Sequence, residues 1–252
     1  MPTRDTAWPA GTPCWVDYGA TDLAAARSFY ADLLGWEYTG GEAEFGGYLN
    51  AELDGRRVAG LGPQMDEAGQ PGWTTYFATE DADATVSRIR EAGGTVVVEP
   101  MQVGPFGRMV VALDPQGNAF GLWEAGEHTG VQRYGEAGAL VWNEAAVEDT
   151  EAARSFYTAV FGFRWEQVDA DMDYTTFATT GDPLGGLGGT DTGGPKGWSV
   201  CFAVASADDA VARVEASGGA VTMAPMDTPF GRFAVVADPW GAAFSVMQLP
   251  AS

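Results

Sequence analysis

The two halves of the chain are repeats of each other. Residues 15–36 align with residues 142–163, and both segments contain the tetrad Arg-Ser-Phe-Tyr. The alignment offset falls from 127 to 124 along the repeat, as small deletions in loops would produce. The sequence therefore predicts two similar domains, 10–125 and 139–250, joined by a Gly-rich polar linker at 126–138.

Each half combines two amphipathic helices with several strands. Asp begins three of the four helical stretches, and Gly follows each stretch within two residues, which are typical helix start and stop signals. The predicted helices are 22–34, 81–92, 149–161 and 207–216. The motif Asp-Pro-x-Gly joins the last two strands of each half as a hairpin turn. The predicted class is α+β, with four βαβββ modules.

Three motifs of the first half occur in a characteristic order. They are FYADLLGW at 29–36, AGG at 92–94 and DPQGNAF at 114–120. This order resembles the vicinal oxygen chelate superfamily, the group of glyoxalases, bleomycin-resistance proteins and extradiol dioxygenases. The resemblance extends from Trp15 to Met247 and implies two glyoxalase-like domains whose curled mixed sheets enclose clefts. Because one fold hosts many activities, it does not by itself assign a function.

Enzymes of this superfamily usually hold a divalent metal that chelates two vicinal oxygens of the substrate. The resemblance places its His and Glu ligand positions at Trp15, Thr74, Gly121, Trp142, Ser199 and Ser245. None of these residues is a His or a carboxylate, the usual ligands of such metals. The single histidine, His128, lies in the linker and is expected to be solvated. The sequence therefore predicts no family-type metal centre, and it suggests no cofactor.

On the first predicted strand of each half, one carboxylate stands two residues after a tryptophan. Strand residues i and i+2 share a face, so Asp17 is expected beside Trp15 and Glu144 beside Trp142. Desolvation next to an indole raises a carboxyl pKa. Asp17 and Glu144 are therefore candidate general acids or bases. The alternative is that both acids are hydrated at a strand rim.

Two arginines open a strand directly after Pro-Phe-Gly. Arg108 and Arg232 are candidates to stabilise an enolate, a carboxylate or a phenolate in the same sites. The alternative is a structural ion pair with a nearby acid such as Asp114 or Asp238.

Aromatic residues on predicted strands suggest the kind of ligand. The candidate ligand-binding residues are Trp15, Tyr48, Trp73, Trp123, Trp142, Tyr174 and Trp198. An aromatic wall with few polar groups suits a flat, conjugated small molecule. The alternative is that part of this set belongs to the hydrophobic core.

The charge of the chain excludes several partners. Thirteen basic residues against 35 acidic residues give a formal net charge of −22. Such a chain is a poor match to nucleic acid or to an anionic membrane surface. Residues 1–14 lack the apolar core of a signal peptide, and two cysteines form no disulfide framework. A cytoplasmic protein, either a monomer or a homodimer, is expected.

Two hypotheses from different classes remain. The first is a metal-independent enzyme of secondary metabolism that isomerises, eliminates or cyclises an aromatic compound by acid/base catalysis. The second is a non-catalytic antibiotic-binding protein of the bleomycin-resistance type, whose acidic surface would attract cationic ligands. The residues at the metal-ligand positions disfavour a third possibility, a metal-dependent lyase or dioxygenase.

Overall fold

Two eight-stranded sheets, one from each half of the chain, form the molecule. The computed structural model describes residues 2–64, 70–192 and 194–250. The first half contains β1 (Pro13–Ala20), α1 (Leu23–Leu34), β2 (Glu37–Gly40), β3 (Leu49–Leu53), β4 (Arg56–Pro63), β5 (Gly72–Thr79), α2 (Ala82–Glu91), β6 (Thr95–Val103), β7 (Gly107–Leu113) and β8 (Ala119–Ala125). The second half contains β9 (Leu140–Val147), α3 (Thr150–Phe161), β10 (Arg164–Gln167), β11 (Tyr174–Ala178), β12 (Gly185–Gly189), β13 (Gly197–Ala203), α4 (Ala207–Ala216), β14 (Ala220–Thr228), β15 (Gly231–Ala237) and β16 (Ala243–Gln248).

Each sheet is built from both modules of one half. The strand orders are β2-β3-β4-β1-β5-β8-β7-β6 and β10-β11-β12-β9-β13-β16-β15-β14. Strands β1 and β5 pair antiparallel at the centre of the first sheet, with Trp15 opposite Tyr76 and Asp17 opposite Thr74. Four βαβββ modules in two sheet-dominated α+β domains match the predicted class.

The helices begin and end where their capping residues predict. The side chains of Asp22 and Asp149 accept hydrogen bonds from the third residue beyond them, at 3.0 and 2.9 Å. Gly35 and Gly162 end α1 and α3 in the left-handed conformation, with φ of 77° and 73°. These helices have 12 residues each. No helix among the described residues is long and apolar enough to cross a bilayer.

One strand runs further than its sequence predicts. The residues Thr95–Glu99 predict a strand that ends before Pro100, but β6 continues through Pro100 to Val103. Its counterpart β14 likewise continues through Pro225. Both strands lie at the edge of their sheet, and the pairing shifts register at the proline, between Val98 and Met101 in β6 and between Met223 and Met226 in β14. Edge strands and bulges are the places where a sheet tolerates proline.

The repeated motifs hold the two halves together. The Tyr30 hydroxyl donates to Asp238 Oδ2 at 2.9 Å, and in the symmetric contact the Tyr157 hydroxyl donates to Asp114 Oδ2 at 3.1 Å. Each aspartate is buried and belongs to an Asp-Pro-x-Gly turn. Each buried contact therefore joins the Phe-Tyr motif of one half to the Asp-Pro-x-Gly turn of the other half, and the molecule contains two such contacts.

Candidate functional site

A large cleft lies on one face of the first sheet. Its volume is about 1030 Å³, and its floor is formed by alternate residues of β1, β4, β5 and β8. Its walls include the hairpins β2-β3 and β6-β7, which carry Phe45 and Phe106 in edge-to-face contact at 5.2 Å. A cleft of this size can hold a ligand of several fused rings.

Asp17 stands on this floor in a chain of hydrogen bonds. The indole of Trp15 donates from Nε1 to the Tyr48 hydroxyl at 2.8 Å, and that hydroxyl donates to Asp17 Oδ2 at 3.4 Å. The Tyr48 ring lies against two glycines of β4. A Cβ on Gly60 would stand 1.8 Å from the Tyr48 hydroxyl, and a Cβ on Gly62 would stand 2.9 Å from the Tyr48 ring. Glycine at both positions is therefore required for Tyr48 to reach Asp17.

Burial changes the acidity of this carboxyl group. Desolvation raises the pKa of Asp17 from 3.8 to about 7, although hydrogen bonds from Tyr76 and Tyr48 partly oppose the change. Burial also raises the pKa of both tyrosines well above 10, so their hydroxyls stay protonated and act as donors. At neutral pH, Asp17 can therefore accept or release a proton beside the Tyr48 hydroxyl, and the Tyr76 hydroxyl is close enough to lower the Asp17 pKa.

Tyr76 is a site residue that the sequence analysis missed. It stands two residues after Thr74 on β5, as Asp17 stands two residues after Trp15 on β1, and the two pairs lie on one face. Gly121 makes room for its ring, since a Cβ there would stand 2.1 Å from Tyr76 Cδ1. The rule that located Asp17 would have located Tyr76 as well.

The connector between the halves forms one wall of the cleft, which corrects the expectation for His128. Its side chain is buried rather than solvated, with its ring 4.4 Å from that of Trp15 and 5.4 Å from that of Trp123. The Trp123 indole donates to the His128 carbonyl at 2.7 Å, and His128 Nδ1 accepts from the backbone of Gly130 at 3.2 Å. Desolvation lowers the pKa of His128 to about 3, so the imidazole is neutral.

Arg57 and Asn50 are among the other polar residues that line the cleft. Arg57, at the start of β4, is half-buried, and its backbone N–H and its Nε both donate to Gln132 Oε1 of the connector. Asn50 of β3 pairs with Gly60, and its Oδ1 is a buried acceptor with no partner in the described parts of the chain. A ligand hydroxyl or amide could satisfy that acceptor.

The second half repeats the acid–tyrosine–tryptophan arrangement. The Trp142 indole donates to the Tyr174 hydroxyl at 3.0 Å, and that hydroxyl donates to Glu144 Oε2 at 2.8 Å. Desolvation raises the pKa of Glu144, against the effect of the Tyr174 hydrogen bond. The position that corresponds to Tyr76 is Cys201, whose thiol pKa is raised by burial. The second arrangement therefore lacks the second tyrosine donor.

Trp73 and Trp198, two of the predicted ligand-binding residues, each donate an indole hydrogen bond to a buried tyrosine. The Trp198 indole donates to the Tyr157 hydroxyl at 2.8 Å and packs in the core between the halves. Trp73 borders the cleft, but its indole donates to the Tyr30 hydroxyl at 3.1 Å and packs against Phe202. Trp198 thus lies in the core, whereas the ligand-binding role predicted for Trp73, which lines the cleft, stays a prediction.

Arg108 and Arg232 also lie away from the cleft, contrary to the catalytic role predicted for them. Arg108 pairs with Asp83 at 2.9 Å and with Glu124 at 3.2 Å. Arg232 pairs with Asp208 at 2.8 Å and with Asp227 at 3.0 Å. Met109 faces the cleft, so strand alternation turns its neighbour Arg108 outward. Both arginines tie a strand to the first turn of a helix.

The residues present do not fit the metal site that the superfamily implies. The six ligand positions carry Trp, Thr, Gly, Trp, Ser and Ser, and at one of them, Gly121, the space is filled by the Tyr76 ring. Within residues 2–64, 70–192 and 194–250 no group of three His, Cys, Asp or Glu side chains could hold a metal ion. The donor set of the family's metal enzymes is thus replaced by aromatic and small side chains.

The tandem βαβββ fold with a strand-lined cleft is typical of one superfamily, and comparison with known sequences identifies the same superfamily. The sequence model of the Glyoxalase/Bleomycin resistance protein/Dioxygenase superfamily matches residues 15–122 and again residues 139–246. The chain belongs to this superfamily as a tandem member.

Two relatives are similar along almost their whole length. The chain is 39% identical over 257 residues to "Putative glyoxylase CFP32" of Mycobacterium tuberculosis, with 98% of each chain covered. It is 38% identical over 269 residues to "Anthracycline biosynthesis protein DnrV" of Streptomyces peucetius, with 97% of this chain and 95% of the relative covered.

Solved structures share the architecture at low identity. The Mn(II)-bound glyoxalase from Novosphingobium aromaticivorans matches with a TM-score of 0.65 at 20% identity, over 95% of this chain and 82% of that one. The 2,3-dioxygenase LapB from Pseudomonas sp. KL28 matches with a TM-score of 0.64 at 16% identity, over 98% and 96%. At these identities the likeness shows a common fold and no more.

Proposed function

We propose that this chain is an enzyme that binds a flat aromatic compound in the first-half cleft and moves a proton on it with Asp17, without a metal ion. The observation that carries the proposal is a carboxyl group at the floor of an aromatic cleft, held by Tyr48 and Tyr76 with a pKa of about 7. A pKa near the working pH suits a general acid or base.

The proposed step is proton transfer at a carbon next to a carbonyl group. Ionised Asp17 takes the proton, so that the C–H bond breaks, an O–H bond forms on Asp17, and the electron pair moves onto the carbonyl oxygen. The protonated hydroxyls of Tyr48 and Tyr76 can stabilise that oxyanion. Return of the proton to a different atom completes an isomerisation, and loss of a leaving group instead completes an elimination.

The relatives support this choice of substrate class. Two of them are named for anthracycline biosynthesis, and anthracyclines are fused-ring aromatic compounds. Others are named as glyoxylases, which is consistent with an enzyme. We therefore propose a role in secondary metabolism.

A second candidate, a binding protein of the bleomycin-resistance type, is favoured by the mouth of the cleft. Glu42 and Glu44 are exposed there beside Phe45, and the net charge of −22 would attract a cationic aromatic ligand. A binding protein would return its ligand chemically unchanged.

Hydrogen–deuterium exchange on a carbon acid separates the two candidates. Anthrone, a flat tricyclic ketone with an acidic CH₂ group, is incubated in D₂O at pH 8 with the protein and EDTA, and NMR follows loss of its CH₂ signal. The wild type and Glu144→Gln are expected to accelerate exchange, whereas Asp17→Asn should be slower by a factor of about 10² or more. The wild-type rate should rise with pH through about 7, where Asp17 ionises.

Three results would contradict the proposal. Exchange that is equally fast in Asp17→Asn would remove Asp17 from the chemistry. Exchange that stops with EDTA and returns with Mn²⁺ would show a metal-dependent enzyme. Saturable binding of anthrone without any exchange would favour the binding protein.

A further inference from the structure

Arg57 differs from most of the basic residues of this chain. With 35 acidic residues against 13 basic ones, carboxylate partners are abundant. Six other arginines form ion pairs with them, namely Arg56, Arg90, Arg108, Arg133, Arg154 and Arg232. Arg57 forms no ion pair within 4 Å in the described structure, although it is half-buried. A cation that is withdrawn from water without a counter-charge is unfavourable unless something else pairs with it.

The connector holds Arg57 in place without neutralising it. Gln132 Oε1 accepts hydrogen bonds from the Arg57 backbone N–H at 3.2 Å and from Nε at 3.3 Å, and the Gln132 backbone N–H donates to the Arg57 carbonyl at 2.8 Å. Burial lowers the pKa of Arg57, and the charge of the cross-strand neighbour Glu52 opposes this effect only in part. Glu52 makes no ion pair with Arg57 within 4 Å in the described structure, and its Oε1 accepts the Thr39 hydroxyl at 2.7 Å. The two terminal nitrogens of the guanidinium are therefore available for another partner.

The cleft is the place where that partner would bind. Among the described residues that line it, Arg57 is the one basic side chain, and its charge also disfavours protonation of His128 in the wall. Two free terminal N–H₂ groups of one guanidinium match the two oxygens of a carboxylate.

We propose that Arg57 anchors a carboxylate of an aromatic ligand whose reactive end lies at Asp17. This inference rests on the proposed function, because it names the substrate class of the same cleft. Gly60, which pairs with Asp17, stands three residues beyond Arg57 on β4, a separation of at most roughly 10 Å. The β3–β4 pairing shifts register between Arg57 and Ala59, and this bulge lets both Arg57 and the Asp17 side of the strand line the same cleft. The ligand is therefore an extended aromatic acid of at least two fused rings, with its carboxylate at the end remote from the reacting carbon.

Binding of matched probes tests this assignment. Anthraquinone-2-carboxylate, anthraquinone-2-carboxamide and 2-(aminomethyl)anthraquinone differ only in the charge of one substituent, and quenching of tryptophan fluorescence at pH 6 measures their Kd. The wild type should bind the carboxylate at least tenfold more tightly than the carboxamide. Arg57→Met should remove this preference and leave the Kd of the carboxamide within twofold, whereas Arg57→Lys should retain part of it.

Arg108→Met is the matched control, because it removes an arginine that lies outside the cleft. It should leave the preference intact. Equal wild-type Kd values for carboxylate and carboxamide would overturn the assignment, as would tighter binding of the amine. Equal weakening of both probes by Arg57→Met would show a merely structural role.

The probes also separate this inference from the proposed chemistry. Asp17→Asn should keep the carboxylate preference while it loses exchange on anthrone. A preference without any exchange would leave Arg57 as an anchor and reject only the proton-transfer step.

Discussion

Replacement of Asp17 by Asn should make the protein more stable at alkaline pH relative to the wild type. In the folded state the pKa of Asp17 is about 7, whereas the ordinary value is 3.8. The folded state therefore holds a proton that the unfolded chain releases between these two values. Stability supplied by this group is fully present below about pH 4 and is lost as the pH rises to about 7.

The magnitude follows from the size of the pKa shift. Each pH unit between the two pKa values changes the free energy of unfolding by about 1.4 kcal/mol. Between pH 5 and pH 8 the wild type should therefore lose about 3 kcal/mol relative to Asp17→Asn, because Asn at this position does not ionise. A difference of half that size in the free energy of unfolding would still be measurable.

Urea denaturation followed by far-UV circular dichroism at pH 5 and pH 8 measures the difference. Asp182→Asn, a change on an exposed loop, is the control for loss of one negative charge and should track the wild type. If the difference between Asp17→Asn and the wild type were the same at both pH values, the carboxyl group of Asp17 would ionise normally and the reasoning would be refuted.

Two other substitutions test how the site and the fold are built. Gly60→Ala should displace the Tyr48 ring, since the new Cβ would stand 1.8 Å from the hydroxyl, and should weaken anthrone binding at least tenfold in a fluorescence titration. The control Gly186→Ala makes the same change in the second half, where the new Cβ would stand 1.9 Å from the Tyr174 hydroxyl, and should leave anthrone binding unchanged. Tyr30→Phe removes the buried hydrogen bond to Asp238 between the halves. The free energy of unfolding, measured by urea denaturation, should fall by about 1.5–3 kcal/mol. An unchanged free energy of unfolding would mean that this contact does not join the halves.

Local signals in the sequence were sufficient for the elements and their order. Asp22 and Gly35 bound the first helix because the capping residues satisfy the free backbone groups at each end. The same strand alternation placed Trp15 and Asp17 on one face. It would also have turned Arg108 away from the cleft, had it been applied to its neighbour Met109.

The rest of the site depends on contacts between distant segments. Residue 132 packs against residue 57 and residue 128 against residue 15, so the connector forms a wall only once it is folded against the first half. No periodicity within residues 126–138 indicates this contact. The role of the Phe-Tyr and Asp-Pro-x-Gly motifs is equally non-local, because each supplies one side of a contact with the other half.

The ionisation of Asp17 is the central claim, and NMR can measure it directly. Protein labelled with ¹³C at the aspartate carboxyl carbon is titrated, and the Asp17 signal is assigned by its absence from Asp17→Asn. We expect one carboxyl resonance that titrates near pH 7 and is missing in the variant. An Asp17 resonance that titrates near pH 4 would contradict the account, because the carboxyl group would then be an ordinary hydrated acid.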